Sequence, residues 1–287
     1  GDDEARAAAL EALRRPGVAR RLAFEAVGCR AVQDAFDVAD QREATALARQ
    51  LRGHVVDAVR SPHANYVIQK IIKGLPPAEW PFIVEELAPD SGELARHEYG
   101  CRIFCRLLEH AAGSEAIAGM FDRALEGSGS ELLRHTFGHH VVESAIQHGE
   151  PPQRGAAIAA VRRHLLANIW NRHAAYVVEK ALQHGSSAER CCLATDLAAI
   201  SSRELASLAR NQYGCMVLRA LLRQALPLPA CSRIQEALSA PAVVEQLRAS
   251  KHGRRLLEDR SFGIAAAADA AAPPAPAASG GGGAADR

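Results

Sequence analysis

Apolar residues recur along this chain in pairs three to four positions apart, and the pairs themselves recur about every 36 to 40 residues. Taking a small residue as anchor, equivalent positions are Gly28, Ala64, Gly100, Gly138, Ala174, Gly214 and Gly253. At anchor plus three and four stand Ala31-Val32, Val67-Ile68, Ile103-Phe104, Val141-Val142, Val177-Val178, Val217-Leu218 and Leu256-Leu257. At plus seven and eight stand Ala35-Phe36, Ile71-Ile72, Leu107-Leu108, Ala145-Ile146, Ala181-Leu182 and Leu221-Leu222. Positions 3, 4, 7 and 8 form one stripe of an α-helix. A near-constant period in this range predicts a solenoid, in which each unit buries its apolar face against its neighbours. The seventh unit has Arg260 and Ser261 at plus seven and eight, as expected of a degenerate or capping end unit.

Three residues before the anchor stand Ser61, His97, His135, Asn171, Asn211 and Ser250. Four of these six carry a side-chain oxygen suited to an N-cap. A Gly or Ala anchor is expected where a neighbouring helix passes closely. Between the repeated helices lie other amphipathic segments, such as residues 42–60 and 151–168, several opened by proline (Pro76-Pro77, Pro151-Pro152). The expectation is an all-α solenoid of about seven repeats with two or three helices each, over residues 16–262. Residues 1–15 are expected to form an N-terminal capping helix or partial repeat. Residues 263–287, rich in Ala, Pro and Gly, read as a disordered tail.

Composition adds limits. Hydrophobic residues at 48% with aromatics at 5% favour a helical fold built on Ala, Leu and Val. Thirty-four Lys and Arg against 33 Asp and Glu leave a net charge of +1, so total charge does not indicate nucleic acid. Seven cysteines without framework spacing read as free thiols of a reducing compartment. No apolar run approaches eighteen residues and no secretory leader is evident, so membrane association is not expected. The opening Gly-Asp-Asp is expected of a fragment or processed piece. No nucleophile elbow, phosphate loop or zinc-hydrolase signature occurs, so an enzyme is not expected and no cofactor is called for.

The stripe is expected to leave plus one, plus two and plus five on a shared exposed face. The plus-two column reads Arg30, Tyr66, Arg102, His140, Tyr176, Met216 and Arg255. Six of these seven carry a ring or guanidinium plane able to stack on a nucleic-acid base. The flanking pairs are Cys29/Gln33, Asn65/Gln69, Cys101/Cys105, His139/Glu143, Ala175/Glu179, Cys215/Arg219 and Arg254/Glu258. Most can address a base edge, one base per repeat. His139, His140 and Glu143 also suggest metal ligation, but adjacent residues of a helix point about 100° apart; no metal is expected.

The segments 63–70, His-Ala-Asn-Tyr-Val-Ile-Gln-Lys, and 99–102, Tyr-Gly-Cys-Arg, resemble the Pumilio (PUF) family of RNA-binding repeats. The resemblance covers residues 16–262 and implies a right-handed crescent whose concave face binds single-stranded RNA, controlling mRNA translation or decay. It implies a uracil reader at Asn65, Gln69 and Tyr66 and an adenine reader at Cys29, Gln33 and Arg30, hence a site ending in 5′-UA-3′, such as one in an mRNA 3′ untranslated region. The other repeats depart from the family's pairs, and seven units stand where eight are usual. A broad RNA binder of ribosome biogenesis is therefore an alternative. A peptide-binding scaffold of the armadillo or HEAT type is another. Protein effectors on the convex face, a monomeric chain and a cytoplasmic location (nucleolar in the alternative) complete these expectations.

Overall fold

A computed structural model describes residues 2–126, 129–224, 229–259 and 262–264. It contains twenty-one α-helices and, among the described residues, no strand. The helices fall into seven consecutive triplets. Each has a leading helix, a short middle helix and a repeated helix that starts at or just before the anchor. In the second repeat these are Gln41–Arg49, Val55–Arg60 and Ala64–Gly74. The helix expected at the N-terminus forms as Asp2–Arg14 and is the leading helix of the first triplet, followed by Val18–Ala23 and Gly28–Val38. The chain divides into two compact units, residues 1–196 and 197–287.

Local sequence accounts for the helix starts. Pro81, Pro151 and Pro241 open helices at a position where a missing N–H costs nothing. Asp40 with Glu43 and Ser201 with Glu204 make reciprocal capping boxes. All six residues three before the anchor cap their helices, including the two that lack an oxygen. The Ser61 hydroxyl accepts from the Ala64 N–H at 3.1 Å, and Asn171 Oδ1 from the Ala174 N–H at 3.1 Å. Asn211 Oδ1 accepts from Tyr213 at 2.8 Å, and Ser250 Oγ from Gly253 at 2.9 Å. At His97 and His135 the ring Nδ1 takes the same place, accepting two backbone N–H groups at 3.2 Å in each case.

In the first unit the repeated helices pack on one another in sequence, Gly28–Val38 on Ala64–Gly74 and so on to Ala174–His184. Their stripe positions are buried from the second repeat on; in the first, Ala31 is exposed. The anchors are small because the repeated helix starts against a carbonyl of the middle helix. A Cβ on Gly100 would lie 2.6 Å from the Leu94 carbonyl oxygen, while Ala64 and Ala174 hold a methyl at the same step with full burial. Buried amides tie successive repeats. Asn168 donates to the Val161 carbonyl at 2.9 Å and accepts from Arg134 Nε at 3.1 Å; Gln153 donates to the Ala112 carbonyl at 3.0 Å. Ion pairs such as Arg60–Glu93 (2.8 Å) and Arg162–Asp196 (2.6 Å) span one repeat on the surface. Such exposed pairs add little to stability.

In the second unit Gln212–Arg223 packs on Lys251–Glu258, and Pro241–Arg248 on both Ser202–Arg210 and Lys251–Glu258. Phe262 and Ile264 are buried, with the Phe262 carbonyl accepting from Gln235 at 3.2 Å. The packed chain therefore continues past the expected boundary at 262. Arg260, Ser261 and the tail from 265 lie outside the described residues.

Candidate nucleic-acid interface

The three columns do not share one exposure, which corrects the expectation that all point away from the core. Plus-one residues are buried in six repeats: Cys29, Asn65, Cys101, His139, Ala175 and Cys215; only Arg254 is exposed. Helical angles explain this. At about 100° per residue, plus one falls about 20° from plus eight, on the margin of the apolar stripe. Plus five falls further round, and Gln33, Gln69, Cys105, Glu143, Glu179 and Arg219 are half-buried, with Glu258 exposed. Plus two lies opposite the stripe, and Arg30, Tyr66, Arg102, His140, Tyr176 and Arg255 are exposed, Met216 half-buried.

Tyr66 and Tyr176 keep 46% and 44% of their surface open, which no intramolecular packing requires of a tyrosine. Arg30, Arg102 and Arg255 make no ion pair among the described residues. Lys70, Arg106 and Arg219 are instead tied to Asp37, Glu109 and Asp259. The plus-two arginines thus keep their charge unpaired where these three basic residues do not.

The buried plus-one groups are hydrogen-bonded within the protein. Asn65 Nδ2 donates to the Ser61 carbonyl at 2.8 Å, and its Oδ1 accepts from Gln69 Nε2 at 3.1 Å. Gln33 donates to the Cys29 carbonyl at 3.1 Å. The Cys29 thiol donates to the Ala26 carbonyl at 3.4 Å, Cys101 to that of Glu98 at 3.5 Å, and Cys215 to that of His252 at 3.3 Å. Cys105 reaches the next repeat, donating to the His140 carbonyl at 3.4 Å. Burial raises the thiol pKa of Cys101 and Cys215 and pushes that of Cys105 up to about 12, so these groups stay protonated donors.

In the first unit an open groove of about 600 Å³ crosses the second to fifth repeats, lined by Gln69, Cys101, Arg102, Cys105, His140, Glu143 and Lys180. His140, on its lining, belongs to a cluster of rings. His139 lies 3.9 Å from His140 and 4.7 Å from His173, centroid to centroid. Burial lowers the pKa of His139 and His173, favouring neutral imidazole. One donor atom from each of His139, His140 and Glu143 lies within 4.8 Å of the others. The two adjacent rings thus lie together although their Cβ bonds diverge.

One column escaped the sequence reading. At anchor minus one stand His63, Tyr99, Phe137, His173, Tyr213 and His252, all half-buried rings, with exposed Val27 in the first repeat. The signal was the same period, read one position earlier. These rings sit at the helix starts; His173 packs against the plus-one ring of the preceding repeat, and Tyr99 and Phe137 against the capping His97 and His135 of their own.

Comparison with known proteins agrees with this geometry. Residues 14–259 match the profile of the "NOP9-like PUF repeat domain". A curated relative, "Pumilio homolog 9" of Arabidopsis thaliana, is 23% identical over 198 residues, 68% of this chain and 33% of that protein. "Pumilio homology domain family member 4" of Saccharomyces cerevisiae is 29% identical over 104 residues, 36% of this chain and 12% of its own length. The chain therefore spans a third or less of these relatives. Among solved structures, PUF-8 in complex with PBE-RNA superposes with a TM-score of 0.75 at 21% identity, covering 88% of this chain and 72% of that one. The Puf3 RNA-binding domain, bound to a Cox17 3′ UTR sequence, gives 0.74 at 20% identity, covering 84% and 73%.

Proposed function

The chain belongs to the NOP9-like PUF repeat family, and from that premise we propose that it binds single-stranded RNA along the repeated helices, one base between successive plus-two side chains. The observation that carries the reading is the exposed column of Arg30, Tyr66, Arg102, His140 and Tyr176 on consecutively packed helices of the first unit. Planar groups at regular spacing stack on bases irrespective of sequence, each for about 1–3 kcal/mol. Choice of base falls to the margin groups. Asn65 and Gln69 present an amide pair for uracil, Cys29 and Gln33 a thiol and amide for adenine, so selectivity is strongest at the first two repeats and favours a site ending in UA. On this reading the RNA is an mRNA, its 3′ untranslated region the target, and the outcome control of translation or stability. The chain acts as a monomer in the cytoplasm, with its opposite face left to protein effectors and no catalytic step.

A second reading, broad RNA binding in ribosome assembly with a nucleolar location, is favoured by the remaining repeats. Ala175 offers no edge group, Cys101 and Cys105 offer thiols with no amide beside them, and Arg219 is held by Asp259. Such repeats stack without selecting.

Selection from a random single-stranded RNA library tests both. A recovered motif ending in UA supports the mRNA reading and a flat profile the broad one. In either case affinity falls as salt rises, with a log–log slope of about 0.7 per phosphate contacted. Failure to shift any RNA pool at low salt would sink both and leave the peptide-binding scaffold. In the described residues no helix is long and apolar enough to cross a membrane.

A further inference from the structure

We propose that His139, His140 and Glu143 form a binding site for one divalent transition-metal ion, zinc by its donor set, on the repeated helix Gly138–His148. The three residues stand at i, i+1 and i+4 of that helix. The i+4 and i+3 relations to Glu143 place its carboxylate on the same side as each histidine. Between the neighbours, the difficulty is divergence of their Cβ bonds, yet their rings lie 3.9 Å apart with planes 37° from parallel.

His139 is already held as a ligand is held. Its Nδ1 lies 2.9 Å from the His135 carbonyl oxygen, which can only accept, so Nδ1 carries the proton and Nε2 presents its lone pair. A backbone carbonyl on the distal nitrogen is the usual support of a metal-bound histidine. The His173 ring, 4.7 Å away, packs against it and limits its rotation. His140 and Glu143 supply the adjustable half: His140 is exposed, and its Nδ1 lies 3.4 Å from Glu143 Oε2.

One ring nitrogen of each histidine and one carboxylate oxygen lie within 4.8 Å of one another. Zinc bonds of about 2.0–2.2 Å in a tetrahedron ask for roughly 3.4 Å between donors. Turning the His140 and Glu143 side chains on the solvent side closes that difference without moving the buried ring. Two imidazoles and one carboxylate suit zinc rather than magnesium or calcium, which take oxygen ligands, and leave a fourth position open to solvent.

A consequence follows that does rest on the RNA reading. His140 is the stacking residue of the fourth repeat and His139 with Glu143 its margin pair. Zinc on these side chains withdraws all three from a base, so zinc and RNA compete at this repeat.

The test uses the full chain, stripped of metal and free of RNA, titrated with zinc against a chromophoric chelator. One saturable equivalent is expected, with affinity at least tenfold lower in Glu143→Gln and in His140→Ala. Circular dichroism of both variants should match the parent, since neither side chain belongs to the core. X-ray absorption should show nitrogen and oxygen ligands only. No saturable equivalent, an equivalent retained by both variants, or sulfur in the coordination shell (from the free cysteines) overturns the site. In a second arm, RNA anisotropy with and without zinc should show at least threefold weaker binding with zinc. Zinc bound at the trio with RNA affinity unchanged refutes the competition. RNA unbound under every condition refutes the RNA reading, while the chelator titration alone decides the metal site.

Discussion

His135 caps the repeated helix of the fourth repeat with a ring nitrogen, and this makes that cap sensitive to acid. Its Nδ1 accepts the Phe137 and Gly138 N–H groups at 3.2 Å each. A protonated imidazole carries hydrogen on both nitrogens and can accept neither. Burial, then the nearby positive charge of Arg96, lowers its pKa below the ordinary 6.5. Above that value the ring is neutral in folded and unfolded chains, and the cap contributes fully. As pH falls below 6.5, the unfolded chain takes up a proton that the folded chain refuses, and stability is lost until the depressed folded pKa is passed. An N-cap is worth about 1 kcal/mol, and the half-buried ring is partly screened by solvent, so this is the upper end of the loss. The substitution His135→Asn replaces the titrating acceptor with the oxygen that Asn171 and Asn211 use. Urea or thermal unfolding at pH 7.5 should place the variant within about 0.5 kcal/mol of the parent. At pH 5.5 it should be the more stable by up to about 1 kcal/mol, roughly 2–4 °C in Tm for a chain of this size. His139, His173 and His184, whose pKa values burial also lowers, weaken both proteins in acid and cancel in the comparison. If parent and variant lose the same stability between the two pH values, the reasoning that the capping nitrogen titrates is wrong.

Three further outcomes are expected. Tyr66→Ala should weaken binding of a single-stranded oligonucleotide about 5- to 150-fold by anisotropy, the equivalent of one stacked base, with little change in Tm because the ring is half exposed. Asn168→Ala strands the Val161 carbonyl and Arg134 Nε and should cost about 2–3 kcal/mol in urea unfolding. Gly214→Val places a branched side chain where a Cβ already meets the Leu208 carbonyl at 2.3 Å, and should cost about 2 kcal/mol or more, read as a lower Tm.

The repeat and its stripe are legible because burial calls for apolar residues at the same four positions in six successive units. The triplet of helices is less so, since a middle helix of six to nine residues is too short to show a period of its own. Exposure at plus one was misjudged by grouping it with plus two; its angle to plus eight placed Asn65 and Cys101 on the margin from the start. The capping histidines are hidden because a ring nitrogen is not among the usual oxygen acceptors of an N-cap, although His97 and His135 occupy the same register as Ser61 and Asn171. Contacts such as Asn168 with Arg134 have no pattern in the chain. They exist only once neighbouring repeats are set side by side, 34 residues apart.

The amide pair Asn65–Gln69 has an implication for how this face would discriminate. With no ligand, the two side chains are already satisfied by each other and by the Ser61 carbonyl. A matching base exchanges one hydrogen bond for another and gains little. A mismatched base breaks the internal bond and returns nothing, leaving a half-buried amide unmet. On the proposed RNA reading, selectivity here would be rejection rather than attraction, and grip would come from elsewhere, from Tyr66 and the phosphates. The two properties can be tuned apart: changes at the ring should scale affinity for every sequence alike, and changes at the amides should re-rank sequences while the strongest affinity stays where it was.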